Sequence, residues 1–276
     1  MSTLTQPRVI DEALLGRFAA ITLERMDSIR LMNRIDTKFV TDTLTLEDIL
    51  SDALQAGYLV FETAGGRVQS YDSIYFDTPD LQMYTDHRRG KTVRQKVRTR
   101  DYCGSGLCFL EVKRKNNHSR TRKKRTRVPP ADFRDFREDS AARLWLSSHS
   151  DYGCEELAPS VETSFERITL VNKGLTERLT IDTSVSFRNL RTEATADLGS
   201  AVIIELKQDG RAHSEMKEIL LKRRVKPFRI SKYCMGVVLT DSGVIAGRFK
   251  QIIRYIDKVN KNCYIKCYRP TLLQPL

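Results

Sequence analysis

One stretch, residues 93–115, constrains the fold of this chain more than any other. Its first half alternates with period two, as a half-buried strand does. The polar face of that strand carries Arg94, Lys96, Arg98, Arg100 and Tyr102. A glycine-rich turn at 104–106 predicts a β-hairpin, and the returning strand places Glu111, Lys113 and Lys115 on one face. A hairpin face with this many cations lies either against water, the simpler alternative for one hairpin, or against an anion.

The composition indicates a polyanionic partner. The 276-residue chain has a formal net charge of +12 and a pI of about 9.5, a balance typical of proteins that bind nucleic acid, anionic membranes or phosphate-rich small molecules. Its length fits one large domain. The six cysteines contain no CxxC pair, so we expect reduced thiols rather than a zinc site. We find no signal core and no stretch near the roughly 20 apolar residues of a membrane span, and we predict a cytoplasmic protein, at most peripheral to a membrane.

Periodicity predicts further strands and helices. Strands are predicted over 32–41, 67–77, 120–128, 161–171, 177–188 and 202–208. Helices are predicted over 9–30, 45–56, 131–149, 212–223, 228–239 and 244–260. The strand at 177–188 alternates most regularly, since every second residue from Arg178 to Arg188 is polar. With the hairpin the chain has about eight strands, and the short turns between most of them favour antiparallel pairing.

Many of these strands have one apolar and one charged face. If helices cover the apolar faces, the charged faces must point together into a barrel wide enough to be polar inside. We therefore predict an α+β fold, an eight-stranded antiparallel β-barrel tunnel with helices packed outside and at the C-terminus. Charges in such a lumen are costly to desolvate, and a row of phosphates with a divalent metal would balance them.

Acidic residues on the charged faces distinguish between the polyanions. They are Asp36, Glu111, Asp182 and Glu205. A nucleic-acid surface combines cations with aromatic stacking platforms, whereas carboxylates among the cations suit Mg²⁺ or Mn²⁺ on a triphosphate. No nucleic-acid partner is therefore expected. For any single strand, the alternative is that its acidic and basic side chains form ion pairs on a face exposed to water.

Eight short motifs, in order along the chain, resemble those of a known family. They are Arg34-Ile-Asp-Thr-Lys-Phe-Val, Tyr75-Phe-Asp-Thr-Pro-Asp, Lys96-Val-Arg-Thr-Arg, Phe109-Leu-Glu-Val-Lys-Arg-Lys, Phe165-Glu-Arg, Arg178-Leu-Thr-Ile-Asp, Ile204-Glu-Leu-Lys and Ser231-Lys-Tyr. The stretch that carries them resembles the VTC-type polyphosphate polymerase domain, a branch of the triphosphate tunnel metalloenzymes. The resemblance implies a tunnel in which the γ-phosphate of ATP is transferred to a growing polyphosphate chain. ATP and polyphosphate are then the partners, and Mn²⁺ or Mg²⁺ is the cofactor.

The resemblance implies a functional role for the residues of this chain that match the family's motifs. The residues that would bind phosphate are Lys38, Arg98, Arg100, Lys113, Arg167, Arg178 and Lys232. Further contacts to ATP and the polyphosphate chain would come from Lys96, Lys115, Lys124 and Lys207. The basic run near Lys124 would guide the product chain. Glu205 would bind the metal, with Glu111 as a second candidate ligand.

One motif departs from the hydrolytic members of the superfamily. They carry a Glu-x-Glu-x-Lys strand where this chain has Arg34-Ile-Asp-Thr-Lys, which lowers the number of acidic ligands and favours the polymerase. The alternatives are a metal-dependent triphosphatase on the same fold and a non-enzymatic polyanion binder, which the basic run at 120–127 suggests.

The expected organisation follows from the extent of the resemblance. Residues 31–242 form the tunnel domain, and a packing helix at 1–30 precedes it. A C-terminal helix and tail at 243–276 belong to the same domain. No pattern in the sequence specifies an oligomeric state.

Overall fold

One curled sheet organises the chain. The structure, a computed structural model, describes residues 10–27, 34–117, 121–210 and 213–268. The strands are β1 Ala19–Ile21, β2 Arg34–Asp42, β3 Leu59–Phe61, β4 Gln69–Asp77, β5 Arg94–Tyr102, β6 Leu107–Lys115, β7 Thr121–Val128, β8 Ala158–Val171, β9 Glu177–Asn189, β10 Thr195–Asp197 and β11 Ala201–Asp209. The helices are α1 Glu12–Gly16, α2 Leu23–Asp27, α3 Thr43–Gln55, α4 Gln82–Arg89, α5 Ser140–Ser147, α6 Glu215–Lys222, α7 Lys232–Thr240 and α8 Phe249–Tyr268.

The eight long strands follow one another across the sheet. Their order is β2-β11-β9-β8-β4-β5-β6-β7, and every neighbouring pair is antiparallel. The sheet curls so that Lys38 on β2 and Lys113 on β6, near opposite ends of the strand order, come close enough for their charges to interact. The predicted α+β fold, an antiparallel eight-stranded tunnel with helices around it, is confirmed.

The convex face of the sheet is apolar, and helices cover it. α1, α3 and α6 pack on the half formed by β2, β11, β9 and β8, against side chains such as Phe39, Leu179 and Ile204. A 3₁₀ turn at Pro130–Phe133 and α5 cover the other half. Burial of each such apolar side chain stabilises the fold by about 1.5–3 kcal/mol, so packing on this face holds the helices against the sheet.

α7 and α8 close one end of the concave face. Gly236 lets α7 approach the sheet closely, since a β-carbon there would lie 2.6 Å from Cγ1 of Val161. α8 packs against β2 and β11, and Tyr255 donates a 3.3 Å hydrogen bond to the carbonyl of Val40. Apolar packing therefore fills this end of the tunnel, and the charged residues line the space beyond it.

A β-bulge divides β9. Ser164 on β8 pairs with Ser186, whereas Glu166 pairs with Thr183, so β9 contains one extra residue between the two pairs. Ser184 lies in this interval with a φ of 51°, in the left-handed region. An extra residue reverses the faces of the strand on either side of it.

The bulge makes the predicted alternation of 177–188 wrong beyond its midpoint. Asp182 keeps the charged face, but Val185 and Phe187 turn to the concave side and pack beneath α7. Ser186 and Arg188 turn outward. The reversal gives β9 a polar half that lines the tunnel and an apolar half that supports its closed end.

The predicted packing helix at 1–30 is wrong for the residues described. Residues 12–27 form α1, β1 and α2, and β1 pairs in parallel with β3. Leu15, Phe18 and Ile21 are buried, and their spacing of three suits a helix as well as this broken path. The hydrogen bonds between the backbones of β1 and β3 favour the broken path over a continuous helix. Residues 1–9 and 28–30 lie outside the described ranges.

The predicted helix at 131–149 is also broken. Only α5 forms, and it begins after Asp139, whose carboxylate accepts a 2.9 Å hydrogen bond from the backbone of Ala141. The other predicted elements are present with shifted bounds, and α8 extends to Tyr268. The six cysteines all lie in the described ranges, and no disulfide joins any of them. Within the described ranges, no helix combines the length and apolar character needed to cross a bilayer.

Candidate active site

Cations from both arms of the sheet converge on the concave face beyond α7, a space that we call the tunnel. The register of the sheet places these side chains on one face of their strands. They are Lys38, Lys96, Arg98, Arg100, Lys113, Lys123, Arg125, Arg167, Arg178 and Lys207. α7 adds Lys232, whose ammonium reaches the carboxylate of Asp182 on β9. The residues predicted to bind phosphate therefore lie together in the tunnel.

The four other predicted contacts divide between the tunnel and its surroundings. Lys96 and Lys207 lie in the tunnel, and Lys115 lies at the end of β6, opposite Arg94. Lys124 lies on the convex side of β7, because it pairs with Val112 of the convex core. Adjacent residues of a strand face opposite ways, so Lys123, not Lys124, faces the tunnel.

Asp182 joins two of the cations. Its carboxylate accepts hydrogen bonds from Nε of Arg167 at 2.6 Å and Nη2 of Arg167 at 2.8 Å, and a third from Nζ of Lys232. Burial opposes ionisation of Asp182, but Arg167 and Lys232 outweigh it and hold the pKa well below its usual range. The carboxylate is therefore ionised at neutral pH.

Glu111 anchors a second group, where β5, β6 and β7 meet. Its Oε2 accepts a 2.8 Å hydrogen bond from Nε of Arg98, and its Oε1 pairs with Lys123. Despite burial, Arg98, Arg100 and Lys123 hold the pKa of Glu111 well below its usual range. Arg98 also donates a 3.0 Å hydrogen bond to the hydroxyl of Tyr75. Burial opposes ionisation of this phenol too, but the cations led by Arg98 lower the pKa of Tyr75 to about 7.

Glu205 forms the third group, where β11 meets β2. It pairs with Lys207 on its own strand and lies opposite Lys38 in the register. Burial would raise the pKa of Glu205, but Lys207, Lys38 and Lys113 together hold it well below its usual range. Asp36 lies opposite Lys207 and forms a 2.7 Å ion pair with Arg34.

Two stacked rings support the cations. The ring centroids of Tyr71 and Phe165 are 5.4 Å apart, with an interplanar angle of 8°. Arg100 lies 5.5 Å from each ring centroid, and the ammonium of Lys232 lies 4.2 Å from that of Phe165. Cation–π contacts of this kind contribute about 0.5–2 kcal/mol. They fix the cations in place without neutralising them.

The tunnel carries more positive charge than its carboxylates balance. The buried Nε of Arg178 has no hydrogen-bond partner in the part of the chain that the structure describes. Burial, the largest effect, and neighbouring cations lower the pKa of Lys96 and Lys232 to about 8 each. Crowded cations in a poorly solvated space are expected to titrate in this way. A ligand with several negative charges would relieve both the unpaired donor and the crowding.

Sequence reasoning missed several tunnel residues. Lys123 lies opposite Lys113, and Arg125 lies opposite Glu111 and 4.6 Å from the ring of Phe109. The period-two alternation of 121–128 leaves only two possible faces for these side chains, and the pairing of β7 with β6 decides between them. Tyr75 could have been found in the same way, from its alternation with the polar positions of β4.

The acidic residues fit a metal that phosphate oxygens chiefly hold. No group of three or more His, Cys, Asp or Glu ligands occurs among the residues described. Mg²⁺ is commonly bound by one or two carboxylates, with phosphate and water completing its shell. Glu205 meets the minimum of one, whereas both oxygens of the nearby Asp36 contact Arg34. Both oxygens of Glu111 contact cations, so its geometry fits an anchor for Arg98 better than a metal ligand.

The curled antiparallel sheet, with cations and a few carboxylates on its concave face, gives the chain a tunnel with a surplus of positive charge. The chain belongs to the VTC domain family, whose family model matches residues 33–240. The resemblance found in the eight motifs is thereby confirmed. No curated protein matches the sequence.

Solved structures similar to this chain are distant in sequence. The Hippeastrum protein HpAC1, described as having a dominant triphosphatase activity, is 15% identical, with a TM-score of 0.49 over 75% of this chain and 96% of that chain. The PH1819 protein of Pyrococcus horikoshii is 12% identical, with a TM-score of 0.41 over 74% and 95% of the two chains. The PH1012 protein of the same organism is 11% identical, with a TM-score of 0.39 over 73% and 98%.

Proposed function

We propose that this protein is an ATP-dependent polyphosphate polymerase, which transfers the γ-phosphate of ATP to a growing polyphosphate chain in the tunnel. The observation that carries the proposal is the surplus of cations around one lumen, from Lys38 on β2 to Lys123 on β7. Cations spread over this many strands would suit a row of several phosphates. Membership of the VTC domain family supports the same function.

Phosphoryl transfer asks mainly for alignment and for stabilisation of charge, which these residues offer. Arg98 and Arg167 are each fixed by a buried carboxylate, and each keeps further N–H groups for phosphate oxygens. Arg100 and Arg178 add guanidinium groups that form no ion pair with a carboxylate of the described residues. Mg²⁺ or Mn²⁺, held by Glu205, would neutralise charge on the phosphate oxygens.

The state of the tunnel carboxylates favours a phosphate acceptor over water. A carboxylate can act as a general base toward a water nucleophile, and it works best when its pKa is near the operating pH. Asp182, Glu111 and Glu205 are instead ion-paired, and their pKa values are held far below neutrality. The terminal phosphate of a polyphosphate chain is already anionic and can attack without losing a proton.

The products formed from ATP test the proposal. Purified protein is incubated with ATP and Mn²⁺, and then with Mg²⁺, while ADP, free phosphate and phosphate chains are measured. We expect a ladder of chains with matching ADP, and its loss in a Glu205→Gln protein that still folds. Glu166→Gln, which removes an exposed carboxylate on the other face of β8, should leave the ladder unchanged.

Other outcomes would assign a different function. Free phosphate without chains would make the protein a triphosphatase, for which inorganic triphosphate is the next substrate. Polyanion binding with a steep salt dependence, without turnover in either metal, would make it a binding protein.

A further inference from the structure

We infer that Asp182 is a positioning residue, which holds Arg167 and Lys232 as a fixed pair of phosphate-binding cations. The inference rests on the proposed function, because that function supplies the phosphate ligand. Asp182 itself would repel a phosphate. Its effect on the ligand must therefore pass through the two cations that it contacts.

The hydrogen bonds of Asp182 define the orientation of both partners. Arg167 uses Nε and Nη2, at 2.6 and 2.8 Å, so that its planar guanidinium lies edge-on to the carboxylate and Nη1 stays outside the fork. Lys232 donates to Oδ2, the oxygen that Nη2 of Arg167 also contacts. One oxygen thus bridges the two cations. Asp182 is only 4% exposed, so water competes little for these bonds.

Neighbouring side chains restrict the conformations of Asp182, Arg167 and Lys232. The ring of Phe165 lies 4.2 Å from the ammonium of Lys232 and 5.1 Å from the guanidinium of Arg167. Ser231, next to Lys232, accepts a 2.6 Å hydrogen bond from Lys96. The two cations come from β8 and α7, which are far apart in the chain, and Asp182 on β9 is the point where they meet.

A positioning role and a counter-charge role predict opposite effects on anion binding. If Asp182 only neutralised its neighbours, its removal would raise the positive charge of the tunnel and strengthen the binding of a polyanion. If it positions Arg167 and Lys232, its removal lets both relax away from the ligand, and binding weakens although the net charge has become more positive.

Calorimetric titration of the full-length protein with inorganic triphosphate separates the two roles. We expect Asp182→Asn to weaken triphosphate binding about tenfold in the wild-type background. In an Arg167→Gln/Lys232→Gln background, where the two cations that Asp182 would position are absent, we expect it to change the affinity by less than about twofold. Glu166→Gln removes a carboxylate from the opposite face and should not weaken binding. Tighter binding in Asp182→Asn, or equal weakening in both backgrounds, would overturn the inference.

A second variant covers the case in which Asp182→Asn fails to fold. Asp182→Glu keeps the charge and moves the carboxylate by one methylene, so a positioning role predicts several-fold weaker binding and a counter-charge role predicts none. Unchanged affinity in a folded Asp182→Glu protein would also overturn the inference. The titrations need no turnover. If the wild-type protein binds triphosphate but makes no polyphosphate, the proposed function fails, while these variants still decide the role of Asp182.

Discussion

Lys96 on β5 donates a 2.6 Å hydrogen bond to the hydroxyl of Ser231, the residue that caps the N-terminus of α7. The same hydroxyl accepts a hydrogen bond from the backbone N–H of Cys234 at 3.3 Å. Beside it, Lys38 on β2 donates a 3.2 Å hydrogen bond to the carbonyl of Ile230. These bonds connect the start of α7 to both arms of the sheet. The position of α7 and the arrangement of the tunnel cations therefore depend on each other.

Gly236→Ala should disturb both the position of α7 and the arrangement of the tunnel cations. The new β-carbon would lie 2.6 Å from Val161 and 3.0 Å from Phe187, two buried side chains on the sheet, so α7 must move away. We expect the free energy of unfolding to fall by about 1–3 kcal/mol, and the affinity for inorganic triphosphate to fall because Lys232 moves with the helix. Denaturant unfolding and calorimetric titration measure the two effects. Gly16→Ala is the control, since nothing lies within 4 Å of its β-carbon, and equal losses in both variants would contradict the argument from packing.

Two adjacent lysines on β7 offer a matched pair of variants. Lys123→Met removes a cation that faces the tunnel and pairs with Glu111, whereas Lys124→Met removes one from the convex side. We expect Lys123→Met to weaken polyphosphate binding several-fold and Lys124→Met to have little effect, although both lower the net charge equally. Binding to a polyphosphate of defined length, at several salt concentrations, distinguishes them. Equal weakening by the two variants would indicate a diffuse electrostatic surface instead of a tunnel contact.

The sequence predicted the tunnel walls well because period-two alternation survives wherever a strand is regular. Arg178 and Glu205 were placed on the correct face for this reason. The bulge at Ser184 could not be predicted, since serine carries no signal for the left-handed conformation that glycine or asparagine would have indicated. The convex position of Lys124 could not be predicted for a different reason, because the face that β7 turns to the tunnel depends on its pairing with β6 and not on its own pattern.

The closed end of the tunnel was beyond sequence reasoning for a third reason. The pattern of α7 predicts a helix but not where it packs, and Gly236 inside it suggests a weak helix rather than a close approach to Val161. Likewise, the pairing of Asp182 with Lys232 joins residues far apart in the chain, and only the folded sheet brings them together.

Raising the pH from 7 to 9 should stabilise the free protein. Burial lowers the folded-state pKa of Lys96 and Lys232 to about 8, from an ordinary value of 10.5. Between these values the unfolded chain binds more protons than the folded one, so the free energy of unfolding rises with pH, by at most about 1.4 kcal/mol per pH unit for each lysine. Tyr75, with a folded-state pKa of about 7 against 10.0 ordinarily, acts in the same direction.

The same loss of protons should weaken the binding of triphosphate, because neutral lysines no longer attract it. Melting temperatures measured at pH 7, 8 and 9, with and without inorganic triphosphate, follow both effects together. We expect the free protein to melt higher as the pH rises, while the increase caused by triphosphate shrinks. Lys96→Met should make both pH dependences shallower, and Lys226→Met, at an exposed position, should leave them unchanged. A triphosphate effect that stays constant up to pH 9 would mean that these lysines keep their protons, which would contradict the crowding of charge in the tunnel.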